Sequence, residues 1–272
     1  MGDAAPAGCS PQPVSWRSLL SETLILCTND DGYMAPGLSV LVEAARGLGE
    51  VHVVAPDREQ SATSHSLTMH LPLRAHGVRE GWHAVTGTPT DCVMLGTQAL
   101  LPRRPDVVLS GVNHGMNMGE DVLYSGTVSA AMEATIFGIP AVAVSYAGRG
   151  DDEHLLSYGP LLARLLPQLV NRSDFPSETL LNVNLPPIPA SEVKGVRVTR
   201  LGRRVFTDSL TRGRDPSGKE YFWIGGGNIE WGSLEGTDYH AVDQGYVSVT
   251  PLHLDLTNHA LLRDVAEWEL ST

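Results

Sequence analysis

The chain has 272 residues and a formal net charge of −12, from 31 acidic and 19 basic side chains. So acidic a surface repels polyanions and excludes duplex DNA or RNA as a natural partner; a small anion is admissible only where a metal ion or helix-start N–H groups offset the field. Hydrophobic residues make up 42% and charged residues 18%, an ordinary globular composition, and with no apolar run of about 18 residues no membrane partner is expected.

Met1–Pro13 lacks a basic stretch followed by an apolar core, so it does not read as a signal peptide. Residues 1–21 are expected to form a flexible leader and 22–272 a single domain, with a core over about 22–190 and an arm with a final strand and helix over about 191–272. The three cysteines, Cys9, Cys27 and Cys92, form no CxxC. Cys27 and Cys92 sit in apolar patterns, which predicts buried reduced thiols and a cytoplasmic protein.

Thr23–Cys27 (TLILC) is a short apolar run that predicts a buried strand. Pro36–Gly47 has helical spacing, with Leu38, Leu41, Val42 and Ala45 on one face and Pro36 in the first turn. Val51–Ala55 is the next strand. The alternation continues with a helix over Pro89–Leu101, a strand over Asp106–Leu109, an Ala-rich helix over Ser125–Phe137 and a strand over Ala141–Ser145. A Leu-rich helix over His154–Val170 and a strand over Leu180–Val183 follow. This order predicts an α/β three-layer domain with a mainly parallel sheet.

Beyond about Pro186 the pattern changes. Gly195–Leu201 and Glu220–Ile224 read as strands around the Arg-rich stretch Arg203–Lys219. Gly225–Asn228 (GGGN) before Ile229–Trp231 reads as a hairpin turn. Gly245–Pro251 is a final strand and His259–Glu269 a short helix. Arg200, Arg203, Arg204, Arg212 and Arg214, beside Tyr221, Phe222 and Trp223, suit an interface.

Chemistry concentrates where strands end, which in open α/β sheets is where ligands bind. Asn29-Asp30-Asp31-Gly32 follows the first strand. Its two carboxylates are hard donors suited to Mg²⁺ or Mn²⁺, and also to Ca²⁺; the same four residues equally suit a solvated turn. The second strand runs into a long polar loop through Ser61 and His65. Ser110–Gly119 (SGVNHGMNMG) offers glycines for close backbone approach and Asn113 and Asn117 as neutral oxygen or N–H donors. Ser125-Gly126-Thr127 opens the Ala-rich helix. It is a plain N-cap when read singly, and a phosphate site beside the other loops. Of the scattered histidines, His65 and His114 are the two that border this edge as substrate contacts. The chain carries no GxGxxG after its first strand and no GxxxxGK[ST], GxSxG or HExxH.

These segments together resemble the SurE family of 5′/3′-nucleotidases. The residues that carry the resemblance are NDDGYMAPGL from Asn29, APDREQSATSHSLT from Ala55, GTPTDCV from Gly87, SGVNHGMNMG from Ser110 and DVLYSGTVSAAME from Asp121. The arm stretch Asp215–Gly225, Thr237-Asp238 and Gly245–Pro251 add to it. The resemblance implies a Rossmann-like core with a C-terminal arm or β-hairpin for oligomerisation. It also implies a homodimer or homotetramer that exchanges this arm, and one divalent metal ion per subunit on Asp30, Asp31, Ser61 and Asn113. Asn117 and Ser125–Thr127 would line the phosphate site. Asp30, Asp31 and Asn117 are the catalytic candidates, with either a water activated by the cation or an aspartate attacking phosphorus. Polyphosphate hydrolysis and nucleotide binding without turnover are the alternatives.

Overall fold

The computed structural model describes residues 23–148, 152–206, 210–224, 229–232, 234–268 and 270. The expected leader lies outside them. Strand β1 (Leu24–Thr28) is buried along its whole length, as a strand covered on both faces must be. Helix α1 (Pro36–Ala45) starts at Pro36, whose missing N–H costs nothing in a first turn. Strand β2 (Glu50–Pro56) lies parallel to β1.

A hairpin with no sequence signature follows: β3 (Ala75–Arg79) and β4 (Trp82–Val85), turned at Gly81 with φ +68°. Helix α2 (Pro89–Leu95) carries a capping box between Thr88 and Asp91 and then loosens into a π-helical turn over Gly96–Leu100, so the expected single helix to Leu101 is shorter.

Strand β5 (Val107–His114) runs five residues past its expected end. Its pairing with β6 (Ala141–Tyr146) resumes after an irregularity, with Asn113 opposite Ser145 and His114 opposite Tyr146. Asn113 therefore sits on a strand, not in a loop. Helix α3 (Gly126–Ile136) is buried on nearly all sides, which its small residues permit. The expected helix over His154–Val170 is two, α4 (Asp152–Ser157) and α5 (Gly159–Val170). Pro160 lacks the N–H that would continue the first and disfavours a helical residue before it. Strand β7 (Thr179–Leu185) extends past its expected end at Val183.

In the C-terminal part, β8 (Val196–Val198) is shorter than expected. Strand β9 (Arg204–Phe206) precedes β10 (Leu210–Arg214) and β11 (Glu220–Ile224), which pair with each other around a turn where Asp215 accepts from the Ser217 and Lys219 N–H groups. Strand β12 (Ile229–Trp231) pairs with β9 instead of β11. The hairpin expected at 225–228 is thus corrected: that turn lies outside the described residues, and the strands flanking it are not partners. Helix α6 (Asp238–Asp243), β13 (Val247–His253) and α7 (Leu262–Ala266) are the last elements among the described residues.

Among the described residues the main sheet has nine strands in the order β3-β4-β2-β1-β5-β6-β7-β13-β8, antiparallel only at β3–β4 and β7–β13. One core cluster packs α1 and α5 against Ile25, Leu109, Val144 and Val183. The other packs α2 and α3 against Leu26, Val108, Ala141 and Leu180. This is the expected three-layer α/β arrangement. Strand order reverses between β1 and β5, so the crevice of the fold opens beyond the ends of those two strands. Among the described residues no helix is long and apolar enough to cross a membrane.

Candidate active site

The loop after β1 is shaped by its own residues. Asn29 Nδ2 donates to the Gly32 carbonyl at 3.0 Å, and the Tyr33 N–H donates to the Pro56 carbonyl at 2.9 Å, tying the turn to the end of β2. Asp30 is buried, 4% exposed, and Asp31 half-buried. The Gln60 N–H donates to the Asp30 carbonyl at 2.7 Å, which docks the loop carrying Ser61. That loop turns through Ala62 and Ser64 with φ of +57° and +52°, and the Ser64 N–H donates to the Tyr124 carbonyl at 3.1 Å.

Helix α3 points its N-terminus at Asp30. Thr127 Oγ1 donates to Asp30 Oδ1, and the Thr127 backbone N–H also stabilises that carboxylate. Gly126 has to be glycine: a Cβ there would stand 2.9 Å from the Asp30 Cβ and 3.0 Å from its Oδ2. Ser125 caps the helix, its Oγ accepting from the Val128 N–H at 3.1 Å. Thr127 therefore serves Asp30, and the positive end of the α3 dipole faces the same carboxylate.

Burial pushes the Asp30 carboxyl up to about 6, against the Thr127 hydroxyl that lowers it, and the neighbouring Asp31 charge raises it further. Burial also raises Asp31, opposed by the His114 N–H, which donates to Asp31 Oδ2 at 3.0 Å. Among the described residues no Lys or Arg pairs with either carboxylate, and the buried Asn29 Oδ1 accepts no hydrogen bond. Two crowded carboxylates with no protein cation fit a bound divalent ion. No group of three His, Cys, Asp or Glu gathers among the described residues, so neutral oxygens would have to complete the set. Asn113 Nδ2 donates to the Gly115 carbonyl at 2.8 Å, which fixes the orientation of its side-chain amide. Ser61 is exposed and its Oγ donates to Glu59 Oε1 at 2.7 Å.

Asn117 is buried and gripped from several sides. Its N–H donates to Asn184 Oδ1 at 2.9 Å, and its carbonyl accepts from Asn184 Nδ2 at 3.0 Å and from Asn182 Nδ2 at 2.8 Å. Its own Nδ2 donates to Ser145 Oγ at 2.8 Å. Ser145, Asn182 and Asn184 lie outside the expected site residues; polar residues at i and i+2 of a buried strand are the signal that marks the two asparagines, and Ser145 has no such signal.

The histidines divide. His114 lines a cavity of about 340 Å³ with Asp31, Ala35, Pro36, Glu59 and Leu155, beside the carboxylates. His65 Nε2 contacts Glu133 Oε2 at 2.8 Å. Glu133 lies seven residues beyond Gly126 on α3, about 10 Å along the helix axis. His65 thus ties its loop to α3.

A family model described as "Survival protein SurE" matches residues 25–208. The chain is 58% identical over 246 residues to the 5′-nucleotidase SurE of Gemmatimonas aurantiaca, covering 90% of this chain and 98% of that one. It is 53% identical over 249 residues to the 5′-nucleotidase SurE of Geobacter metallireducens, covering 91% and 98%. The crystal structure of the SurE protein from Aquifex aeolicus superposes with a TM-score of 0.79 at 44% identity, over 89% of this chain and 98% of that one. The match extends through the strand ends that build the site, and the chain belongs to the SurE family.

Proposed function

We propose that this protein is a metal-dependent 5′-nucleotidase, hydrolysing nucleoside monophosphates to nucleoside and phosphate. The observation that carries the reading is the placement of the Asp30–Asp31 pair against the N-terminus of α3 at the switch point of the sheet. A carboxylate pair holds a cation, and a helix start holds an anion. Relatives at 58% and 53% identity bear the name 5′-nucleotidase.

Asp30, Asp31, Ser61 and Asn113 are the residues that would hold one Mg²⁺ or Mn²⁺ ion per subunit. When bound, such an ion draws charge from a phosphoryl oxygen. Thr127 fixes Asp30 through both its hydroxyl and its N–H. Asn117 presents its second amide hydrogen, and the start of α3 its dipole, to the phosphoryl oxygens as charge builds on them. The nucleoside takes the cavity beside His114 and Glu59. The protein acts in the cytoplasm and as a homo-oligomer; the exposed aromatics of β11 support self-association.

The test is phosphate release from a panel of 5′- and 3′-nucleoside monophosphates with Mn²⁺, with Mg²⁺ and with chelator, comparing the wild type with Asp30→Asn. Metal-dependent release that collapses in the variant is the expected result. A folded wild type that releases phosphate from no nucleotide with either metal would overturn the reading.

A further inference from the structure

On the face of the sheet that carries α3, the strands change character along their length. Leu26, Val108, Ala141, Leu180 and Leu252 are apolar. Toward the crevice the same face continues with Thr28, Ser110, Asn182 and Thr250 in one row, interrupted by Ala143 between Ser110 and Asn182, and with Ser145, Asn184 and Ser248 in the next. All seven are buried. A row of polar side chains inside a sheet is costly unless it is used.

Three of the seven are used on one residue. Asn184 closes a two-bond ring on the Asn117 backbone, Asn182 adds a second donor to the same carbonyl, and Ser145 accepts from the Asn117 side chain. Asn117 lies on the segment between β5 and α3, where no regular ladder fixes the backbone. Three hydrogen bonds from β7 hold the backbone in its place, and a fourth, to Ser145 on β6, holds the side chain. The bond to Ser145 also sets the amide rotation, and so the direction of the remaining N–H.

We propose that Ser145, Asn182 and Asn184 are positioning residues for phosphoryl transfer, acting through Asn117 by holding its amide at the place where transition-state charge develops. The proposal rests on the nucleotidase reading for its substrate, but the floor itself is tested separately. A donor acts on the transition state only if its position is set before the reaction, and misplacement lowers kcat more than it raises KM.

The test is a double-mutant cycle on the full-length protein with Mn²⁺: wild type, Ser145→Ala, Asn117→Ala and the double variant, with Ser248→Ala as the control from the same floor. Ser248 Oγ is buried with no hydrogen-bond partner among the described residues, so its removal should leave kcat unchanged. Ser145→Ala is expected to lower kcat by about 10-fold or more with KM changed by less than about 3-fold, and to cost nothing further once Asn117 is alanine. Asn184→Leu is expected to behave as Ser145→Ala does, with a lower melting temperature. Additive losses in the cycle, or a Ser145→Ala protein with wild-type kcat, would overturn the proposal. Should the wild type turn over no nucleotide, inorganic phosphate binding to the Mn²⁺-loaded proteins decides it. Weaker binding by both Asn117→Ala and Ser145→Ala supports the clamp, and equal binding overturns it.

Discussion

Gly126 and Asp30 stand closer than any side chain between them would allow, since a Cβ on Gly126 would meet the Asp30 Cβ at 2.9 Å. Gly126→Ala must therefore displace either the carboxylate or the helix start. The expected outcome is a folded protein with a lowered melting temperature, because overpacking this buried site is destabilising, and Mn²⁺ affinity and kcat each reduced about tenfold or more. Calorimetric titration with Mn²⁺ beside the phosphate-release assay measures both; an unchanged affinity would show that Asp30 lies outside the cation site.

The Asp30 carboxyl, raised to about 6, binds its proton more tightly in the folded chain than in the unfolded one. The metal-free fold therefore gains from this group at low pH and loses that contribution as pH rises from about 4 through 6. A cation competes with the same proton. With about one tenth of the carboxyl ionised at a pH of about 5, apparent Mn²⁺ affinity should be roughly tenfold weaker there than at about 7.5. Thermal melts with chelator and with Mn²⁺ at the two pH values check it. The Mn²⁺-induced rise in melting temperature should be larger at the higher pH.

Asp238 joins two segments far apart in sequence. Its Oδ2 accepts from the Gly119 N–H at 2.9 Å, and its Oδ1 from the Gly202 and Tyr239 N–H groups, each at 2.8 Å. Asp238→Asn turns an amide donor toward one of these N–H groups. A melting temperature lower by roughly 5 °C is expected, from an unsatisfied buried donor. Differential scanning calorimetry reads it directly.

Strand β11 exposes Phe222 at 58% and Trp223 at 68%. An isolated chain would carry this patch in water. Analytical ultracentrifugation should find a dimer or tetramer in the wild type and a smaller species for Trp223→Asp. An unchanged mass would place the contact elsewhere.

The layers of the fold were legible because buried strands such as Leu24–Thr28 and Ala141–Tyr146 are short apolar runs between helical spacings. The Asp30–Asp31 pair was legible because strand ends mark the crevice. Three things were not. Strand β7 was expected to stop at Val183, because the residue that holds Asn184 in place, Asn117, lies 67 positions away. The hairpin β3–β4 was missed because every residue of β3 is exposed, which removes the alternating pattern. The contacts His65–Glu133 and Asp238–Gly119 join residues 68 and 119 positions apart, and no local pattern records such pairings.

The change from apolar to polar along the α3 face of the sheet has a mechanical side. The later turns of α3 adhere through Ala130, Ala131 and Ala134 by dispersion and water exclusion, which are short-ranged but indifferent to direction. Its first turn is set by directional bonds, from Thr127 to Asp30 and within the Ser125 cap. A helix fastened this way is anchored like a beam at its far end and aimed by guy-lines at the near one. Small substitutions in the alanine stripe should shift how firmly α3 is seated, while changes among the polar residues should shift where it points.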